Sequence, residues 1–307
     1  MIEISIVIPV YNSVDCLSEL HRQICNSVIM SHEIIFVNDQ SEDNSWPVIK
    51  DLTKANKNAI GVNLRKNSGQ DNAIMAGMAI SKGKYIVIMD DDLQYSPRDI
   101  VRLYQKCKEG YDACYAKPII QKRSLLKNFS SWLNGKCAEL FLGKEKSIYL
   151  SPFKVIDRAL AKEMVDSLNP FPYVDGLILS YTKNIGQIET DFDDRFSGES
   201  TYSLIKSLAV LGNHLTGYSV FPLRAATLVG MASAFFGFLL FGFFIAQYFM
   251  FSNIPEGWTT LVSLILLIGG VILICLGIIG EYVGRSYLLL GLKPKYSIKE
   301  IIRDTNE

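Results

Sequence analysis

The chain has 307 residues, 49% of them hydrophobic, and a mean hydropathy of +0.19; this excludes a disordered or fibrous protein and leaves room for one large domain plus a membrane segment. Lys and Arg number 31 against 31 Asp and Glu, so the formal net charge is zero, nothing in the total points to a nucleic-acid partner, and any phosphate binding has to be local. The six cysteines (Cys16, Cys25, Cys107, Cys114, Cys137, Cys275) show neither Cys-x-x-Cys spacing nor a paired pattern, which fits a reducing cytosol and argues against a structural zinc site.

The N-terminus opens directly into an apolar run, without the basic flank and apolar stretch of a secretory signal, so none is expected. Residues 4–9, 32–37, 60–64, 85–89 and 113–115 read as strands, and 14–28, 46–55, 72–81 and 97–109 read as helices between them. Strands this uniformly apolar, alternating with amphipathic helices, predict a parallel sheet covered on both faces. Ligands in such sheets bind beyond the carboxyl ends of the strands. Polar residues follow those ends here: Tyr11 and Asn12, then Asn38 and Asp39, then Arg65 to Asn67, then Asp90 to Gln94. Each is ordinary alone; their repetition at one edge predicts a site.

The sharpest local signal is Asp90-Asp91-Asp92-Leu93-Gln94, directly after an apolar strand. Three adjacent carboxylates repel one another, and magnesium or manganese held by one or two of them plus substrate phosphates would offset that charge. The alternative is a solvated acidic turn, since Asp favours turns in any case.

After Arg224 the character changes. Residues 225–251 carry no charge, and neither do 259–280. Each run exceeds the roughly 20 residues a helix needs to cross the hydrocarbon core. The short connection 252–258 predicts a transmembrane hairpin. Arg224, Arg285, Lys293 and Lys295 flank it while the connection holds only Glu256, so the positive-inside rule puts the rest of the chain in the cytoplasm, at the inner membrane. The expected organisation is a soluble domain over 1–202, an amphipathic interfacial segment over 203–224, the hairpin over 225–280 and a cytoplasmic tail over 281–307. Gly230, Ala232, Gly237, Gly269 and Gly270 allow close helix approach and hence a homo-oligomer through the membrane helices.

From Ile4-Ser5-Ile6-Val7-Ile8-Pro9-Val10-Tyr11-Asn12 to Glu281-Tyr282-Val283-Gly284-Arg285 and Lys293-Pro294-Lys295-Tyr296, nearly the whole chain resembles the GT-A-fold glycosyltransferases of family 2, and within them the polyprenyl-phosphate glycosyltransferases. Two stretches are most similar to the branch that transfers 4-deoxy-4-formamido-arabinose to undecaprenyl phosphate: Arg65-Lys66-Asn67-Ser68-Gly69-Gln70-Asp71-Asn72-Ala73-Ile74-Met75-Ala76-Gly77 and Arg195-Phe196-Ser197-Gly198-Glu199-Ser200-Thr201-Tyr202-Ser203. The resemblance implies a Rossmann-like α/β nucleotide-sugar domain and an inverting, metal-dependent transfer from a nucleotide-sugar, UDP-linked by family frequency, to a polyprenyl phosphate such as undecaprenyl phosphate. The product would feed cell-envelope glycan or lipopolysaccharide modification.

The same resemblance implies roles residue by residue. Asp90, Asp92 and Gln94 match the motif that holds the metal and the donor diphosphate, with Asp91 between them. Pro9, Tyr11 and Asp39 match positions around the base and ribose, where a carboxylate accepts hydrogen bonds from an imide or hydroxyl. Asn67, Gly69 and Gln70 match the loop beside the nucleotide. Arg195, Ser200 and Tyr202 match a segment closing over the pyrophosphate and acceptor, where a guanidinium binds phosphate bidentately. Arg195 also has the simpler reading of a helix cap or a partner for Asp193 or Asp194. Arg123, Lys127 and Ser131 fall where the family places an acceptor-phosphate loop, and equally read as a solvated basic face. His21, His32 and His214 are isolated and read as structural.

Three departures stand out: Gln40 replaces a usual glycine, which predicts a differently shaped turn beside the nucleotide; Tyr149-Leu150-Ser151 stands where relatives often carry an aspartate; Lys127 stands in place of arginine. Rival readings are a transferase to a sugar hydroxyl, whose usual Gln-x-x-Arg-Trp signature is absent, and a non-catalytic nucleotide-sugar-binding membrane protein, against which the intact Asp90 and Asp92 pair with Arg195 argues.

Overall fold

The computed structural model describes residues 2–119, 145, 147–167, 172–192, 221–250, 257–290 and 294–303. The chain divides into two compact units, Met1–Lys206 together with Leu292–Glu307, and Ser207–Gly291.

In the first unit the strands are β1 (Ile4–Val10), β2 (His32–Asn38), β3 (Ala59–Leu64), β4 (Tyr85–Ile88), β5 (Ala113–Pro118), β6 (Lys154–Asp157), β7 (Ile185–Thr190) and β8 (Ile298–Arg303). Its helices are α1 (Val14–Ser27), α2 (Ser45–Ala55), α3 (Gln70–Ile80), α4 (Asp99–Lys108), α5 (Arg158–Asp166) and α6 (Val174–Tyr181). One sheet contains the strands in the order β7-β5-β6-β4-β1-β2-β3-β8. β1 runs parallel to β2 and β4, and β2 parallel to β3, whereas β6 is antiparallel to both β4 and β5 and β8 antiparallel to β3. The chain steps from β1 outward to β2 and β3, then returns to the other side of β1 for β4. That reversal opens a crevice between the β1 and β4 carboxyl ends, where α/β sheets place their ligands.

Every residue of β1 and β3 is buried, because both faces of the strands are covered and Ile, Val and Leu fill both. Helix α1 turns Cys16, Leu17, Leu20 and Ile24 to the core at helical spacing. Helix α3 is buried over Asn72–Met78, and Gly77 allows its approach: a Cβ there would meet Val7 Cγ1 at 2.4 Å and Val37 Cγ2 at 3.0 Å. Gly77→Ala is therefore expected to lower the melting temperature. Overpacking against β-branched neighbours costs about 1–3 kcal/mol, more than the up to ~1 kcal/mol of helix propensity gained. An unchanged or raised melting temperature would show that α3 moves away freely.

The five strands and four helices expected up to residue 115 are present, with ends shifted by small amounts. β6, α5, α6, β7 and β8 were not foreseen. β6 has four residues and β7 and β8 mix charged with apolar positions, so neither gives a clear period. β8 can afford Lys299, Glu300 and Arg303 because it is an edge strand, where charge discourages further pairing.

The second unit holds α7 (Phe221–Met250) and α8 (Trp258–Leu290). Cys275 Sγ approaches Ala226 O at 3.6 Å between the two helices. Large apolar side chains face outward, among them Phe235, Phe238 and Leu273. Helix α8 continues past Gly280, the expected hairpin end, to Leu290. Counting only the residues described in full, no helix is long and apolar enough to cross a membrane; the expected crossing rests on the uncharged sequence runs.

Candidate active site

A cavity of about 320 Å³ opens where the strand order reverses, lined by Pro9 and Val10 of β1 and Tyr11 after it, by Asp39 after β2, by Asn67, Gly69 and Gln70 before and at the start of α3, and by Asp90, Asp91 and Asp92 after β4. That volume is within the range of small-ligand sites. Each of the four strand ends thus contributes to one hollow, through Tyr11, Asp39, Asn67 and Asp90 to Asp92, while Asn12, Asn38, Arg65, Lys66 and Gln94 do not line it.

The loops around it are laced together by polar side chains. Asn12, in the left-handed region at φ +54°, donates its N–H to Ser41 Oγ (3.1 Å), and its side-chain oxygen accepts from Glu42 N–H (2.8 Å). Ser13 N–H donates to Ser45 Oγ and Val14 N–H to Asp43 Oδ2. Below them Asn38 Nδ2 donates to Asn63 Oδ1 across β2 and β3, both buried. The buried Asn38–Asn63 bond satisfies groups that would be costly unpaired, and the more exposed bonds fix the shape of the loops.

Asp39 is 4% exposed, and its two carboxylate oxygens accept from Ser68 N–H (2.7 Å) and Gly69 N–H (2.8 Å). Burial raises its pKa and those two bonds oppose the rise. Its first task is therefore to hold the loop that begins α3, in addition to the base or ribose contact expected from sequence. Gly69 sits at φ +90°, a conformation only glycine adopts without strain. Gln40, which departs from a usual glycine, stands at φ +57°, in the left-handed region. Its amide, with the nitrogen turned inward, donates to Leu64 O (3.0 Å) and Arg65 O (3.2 Å), which offsets the strain of about 1–2 kcal/mol.

The acidic run separates by direction. Gln70 Nε2 donates to Asp90 Oδ1 at 2.6 Å, tying the start of α3 to the end of β4. Asp91 is bonded by the Ser13 side chain and the Tyr11 main chain; burial pushes its pKa up to about 6, those bonds oppose the rise, and neighbouring Asp92 adds to it. Leu93 takes φ +60°, which reverses the chain so that Gln94 N–H reaches Asp92 Oδ1 (3.2 Å). Left-handed non-glycine residues at three loops of one cavity are the kind of strain that gathers at functional sites. Asp90 and Asp92 give an all-oxygen donor pair that fits a hard divalent cation completed by phosphate oxygens. Among the described residues no three His, Cys, Asp or Glu side chains form a cage able to hold a metal by themselves.

Gln94 does not line the cavity and contributes its main chain to the Asp92 turn. Arg123, Lys127, Ser131, Arg195, Ser200, Tyr202 and His214 lie outside the described residues. His32 Nδ1 lies 2.8 Å from Met30 O and His21 Nε2 3.6 Å from Cys25 Sγ, and neither lines the cavity. The five described cysteines are free thiols.

Beside the cavity is a polar cluster that sequence reasoning missed. Asp71 Oδ1 accepts from Val174 N–H (3.0 Å), and Asp175 Oδ1 accepts from Tyr115 Oη (2.9 Å) and from Lys154 Nζ. The only sequence signals were a lysine opening an apolar strand and an aspartate opening an apolar helix. Burial, with nearby Asp175 adding, raises the Asp71 pKa from 3.8 to about 6, against the pull of the Val174 bond and Lys154. Between those values the folded state holds a proton the unfolded state has lost, so stability falls as pH rises from about 4 to 6. Asp71→Asn keeps an acceptor for Val174 and removes this fall, so it is expected to gain up to about 3 kcal/mol on wild type between pH 4 and 7. Parallel slopes of the two unfolding midpoints against pH would remove Asp71 from the account.

The family model described as "Glycosyl transferase family 2" matches residues 5–164. The chain is 30% identical over 306 residues to the undecaprenyl-phosphate 4-deoxy-4-formamido-L-arabinose transferase of Shewanella sediminis (strain HAW-EB3), covering 97% of this chain and 92% of that protein. It is also 30% identical to an uncharacterized glycosyltransferase of Bacillus subtilis (strain 168), covering 97% and 94%. Among solved structures it is similar to glucosyl-3-phosphoglycerate synthase of Mycobacterium tuberculosis in complex with Mn2+ and UDP-glucose, with TM-score 0.52 and 16% identity over 70% of this chain and 77% of that one. At that identity the likeness speaks for the fold.

Proposed function

Because the chain belongs to glycosyl transferase family 2 and carries a GT-A-like mixed α/β sheet, we propose that it moves a sugar from a nucleotide-sugar, UDP-linked, to a polyprenyl phosphate of the undecaprenyl class. The observation that carries this reading is the cavity, which joins Asp39 and the α3 loop on one side to Asp90 and Asp92 on the other, the arrangement a nucleoside diphosphate needs. The near-full-length similarity to a protein named for undecaprenyl phosphate supports the acceptor.

The lipid phosphate oxygen attacks the anomeric carbon from the face opposite the nucleotide. The bond from that carbon to the nucleoside diphosphate breaks, its electron pair leaves with the diphosphate, and the configuration inverts. A phosphate is already ionised near neutral pH, so positioning matters more than a general base. Asp39 holds the α3 loop in shape, Gln70 fixes the Asp90 carboxylate, and the cavity walls orient the nucleotide. Mg2+ or Mn2+ would be held by Asp90 and Asp92, with Gln94 supporting Asp92 through its main-chain N–H, and when bound it would neutralise charge on the departing diphosphate. Arg195, Ser200 and Tyr202 are assigned to closing over the diphosphate, and Arg123, Lys127 and Ser131 to the acceptor phosphate, on their positions in sequence.

The uncharged runs 225–251 and 259–280 form the membrane hairpin of this reading and give the isoprenoid tail an apolar surrounding. The small residues along them allow a homo-oligomer. A reporter fused after Glu307 is expected to be cytoplasmic and a tag within residues 252–256 accessible from outside, because the basic residues flank the hairpin on one side. The opposite labelling pattern would separate the cavity from cytosolic nucleotide-sugars and refute this orientation. The catalytic proposal is tested with isotope-labelled nucleotide-sugars, undecaprenyl phosphate and manganese or magnesium. Label should appear in an organic-extractable lipid labile to mild acid; label confined to water-soluble glycan would favour a hydroxyl acceptor, and no transfer from any donor a binding protein.

A further inference from the structure

We propose that Asp175, gripped by Lys154 and Tyr115, is the specificity-determining residue that reads the hydroxyl groups of the transferred sugar. The proposal rests on the nucleotide-sugar donor reading above.

Its first support is the order of the strands. The cavity spans the carboxyl ends of β3, β2, β1 and β4, with Asp39 and Asn67 toward one side and Asp90 and Asp92 at the other. A nucleotide laid along that edge with its diphosphate at β4 has to extend its sugar past β4. The next strands are β6 and then β5, each about 5 Å further on. Because β6 is antiparallel to β4, its first residue reaches that edge: Lys154 pairs with Ile88, just before the acidic run, and Tyr115 of β5 pairs with Lys154. The two side chains there are polar, and both bond Oδ1 of Asp175, at the start of α6.

The second support is energetic. Lys154 is 3% exposed and Tyr115 wholly buried, and the ammonium lies 5.2 Å from the Tyr115 ring centre. A buried ion pair is commonly no more stable than well-packed apolar residues of the same volume, so stability alone does not explain it. The Asp175 side chain keeps 15% of its surface accessible against 4% for Lys154, so the carboxylate is the member of the pair that can meet a ligand. The Asp71 bond to Val174 also ties the residue before Asp175 to the one after Gln70, which bonds Asp90. The Asp175 carboxylate is thus held in register with the wall assigned to the diphosphate.

The third support is chemical. A carboxylate beside its own ammonium partner has little attraction left for a cation but still accepts hydrogen bonds. It suits sugar hydroxyls better than a protonated amino group. A site built to accept from a hydroxyl rejects an analogue that lacks it, because the acceptor is then left without a donor.

The test uses the full chain in detergent. It compares binding of the nucleoside diphosphate alone, UDP or GDP, with binding of whichever hexose conjugate of it the wild-type chain transfers. Asp175→Asn is expected to leave the diphosphate dissociation constant within twofold of wild type and to raise that of the conjugate tenfold or more. Tyr115→Phe, which keeps the ion pair, is expected to follow the same pattern with a smaller rise, and it carries the test should Asp175→Asn fail to fold. Equal shifts for both ligands, or no shift in either variant, would overturn the sugar assignment and leave the donor reading standing. Failure of wild type to bind either nucleotide would overturn the donor reading, and this proposal with it.

Discussion

Asp92→Asn is expected to lower turnover by about a hundredfold or more, the scale of losing a major electrostatic stabiliser at a leaving group. The change keeps the side chain's size and an acceptor for Gln94 N–H, so the turn at Leu93 has no reason to collapse. What it removes is one of two charges on the cavity wall available to a divalent cation. Asp91→Asn is the informative comparison. Asp91 is engaged by Ser13 and Tyr11 instead of being open to a cation, so its loss should register in stability more than in turnover. Initial rates with labelled donor, with and without excess chelator, separate the two. Activity that survives both Asp92→Asn and chelation would take the metal out of the mechanism.

Asp39→Ala is expected to damage donor binding and folding together. Two partly buried main-chain N–H groups, those of Ser68 and Gly69, lose a charged acceptor, at about 1 kcal/mol each once water takes its place. Gly69 is already held at positive φ, so the loop has alternative conformations to relax into, and the wall formed by Asn67, Gly69 and Gln70 should open. The Michaelis constant for donor should rise at least about tenfold, with a lower melting temperature. Asp39→Asn keeps one acceptor and turns an N–H toward the other donor, so it should fall between wild type and Ala. An Asp39→Ala protein with normal melting and a normal Michaelis constant would show that the loop is held by its other contacts, such as the Asn72 Nδ2 bond to Ser68 O (2.9 Å).

Much of the catalytic half was legible from residues alone. Runs such as 4–10 and 32–38 can be strands only in a sheet covered on both faces, and polar residues directly after such strands mark its carboxyl edge. That pattern marks Tyr11, Asp39, Asn67, Asp90, Asp91 and Asp92, the resemblance to the family adds Pro9, Gly69 and Gln70, and all nine line one cavity. Gln40 holds a left-handed turn with a side chain able to bond two carbonyls, an arrangement that no local pattern announces.

The alternation of strands and helices, the charge-free runs after Arg224 and the carboxylates that follow β4 are legible locally, because each is written in a window of a few to about twenty residues. Which way each carboxylate faces depends on packing across the sheet: Asp91 onto Ser13, Asp39 onto the α3 loop, Asp175 onto Lys154 and Tyr115. The same packing sets β8 against β3 at the edge of the sheet. The partners involved lie far apart in the chain, 103 residues for Asp71 and Val174 and 60 for Tyr115 and Asp175. A buried polar group must find a partner, but no local pattern says which one. That choice is made when strand order and helix packing bring distant donors and acceptors to the same edge.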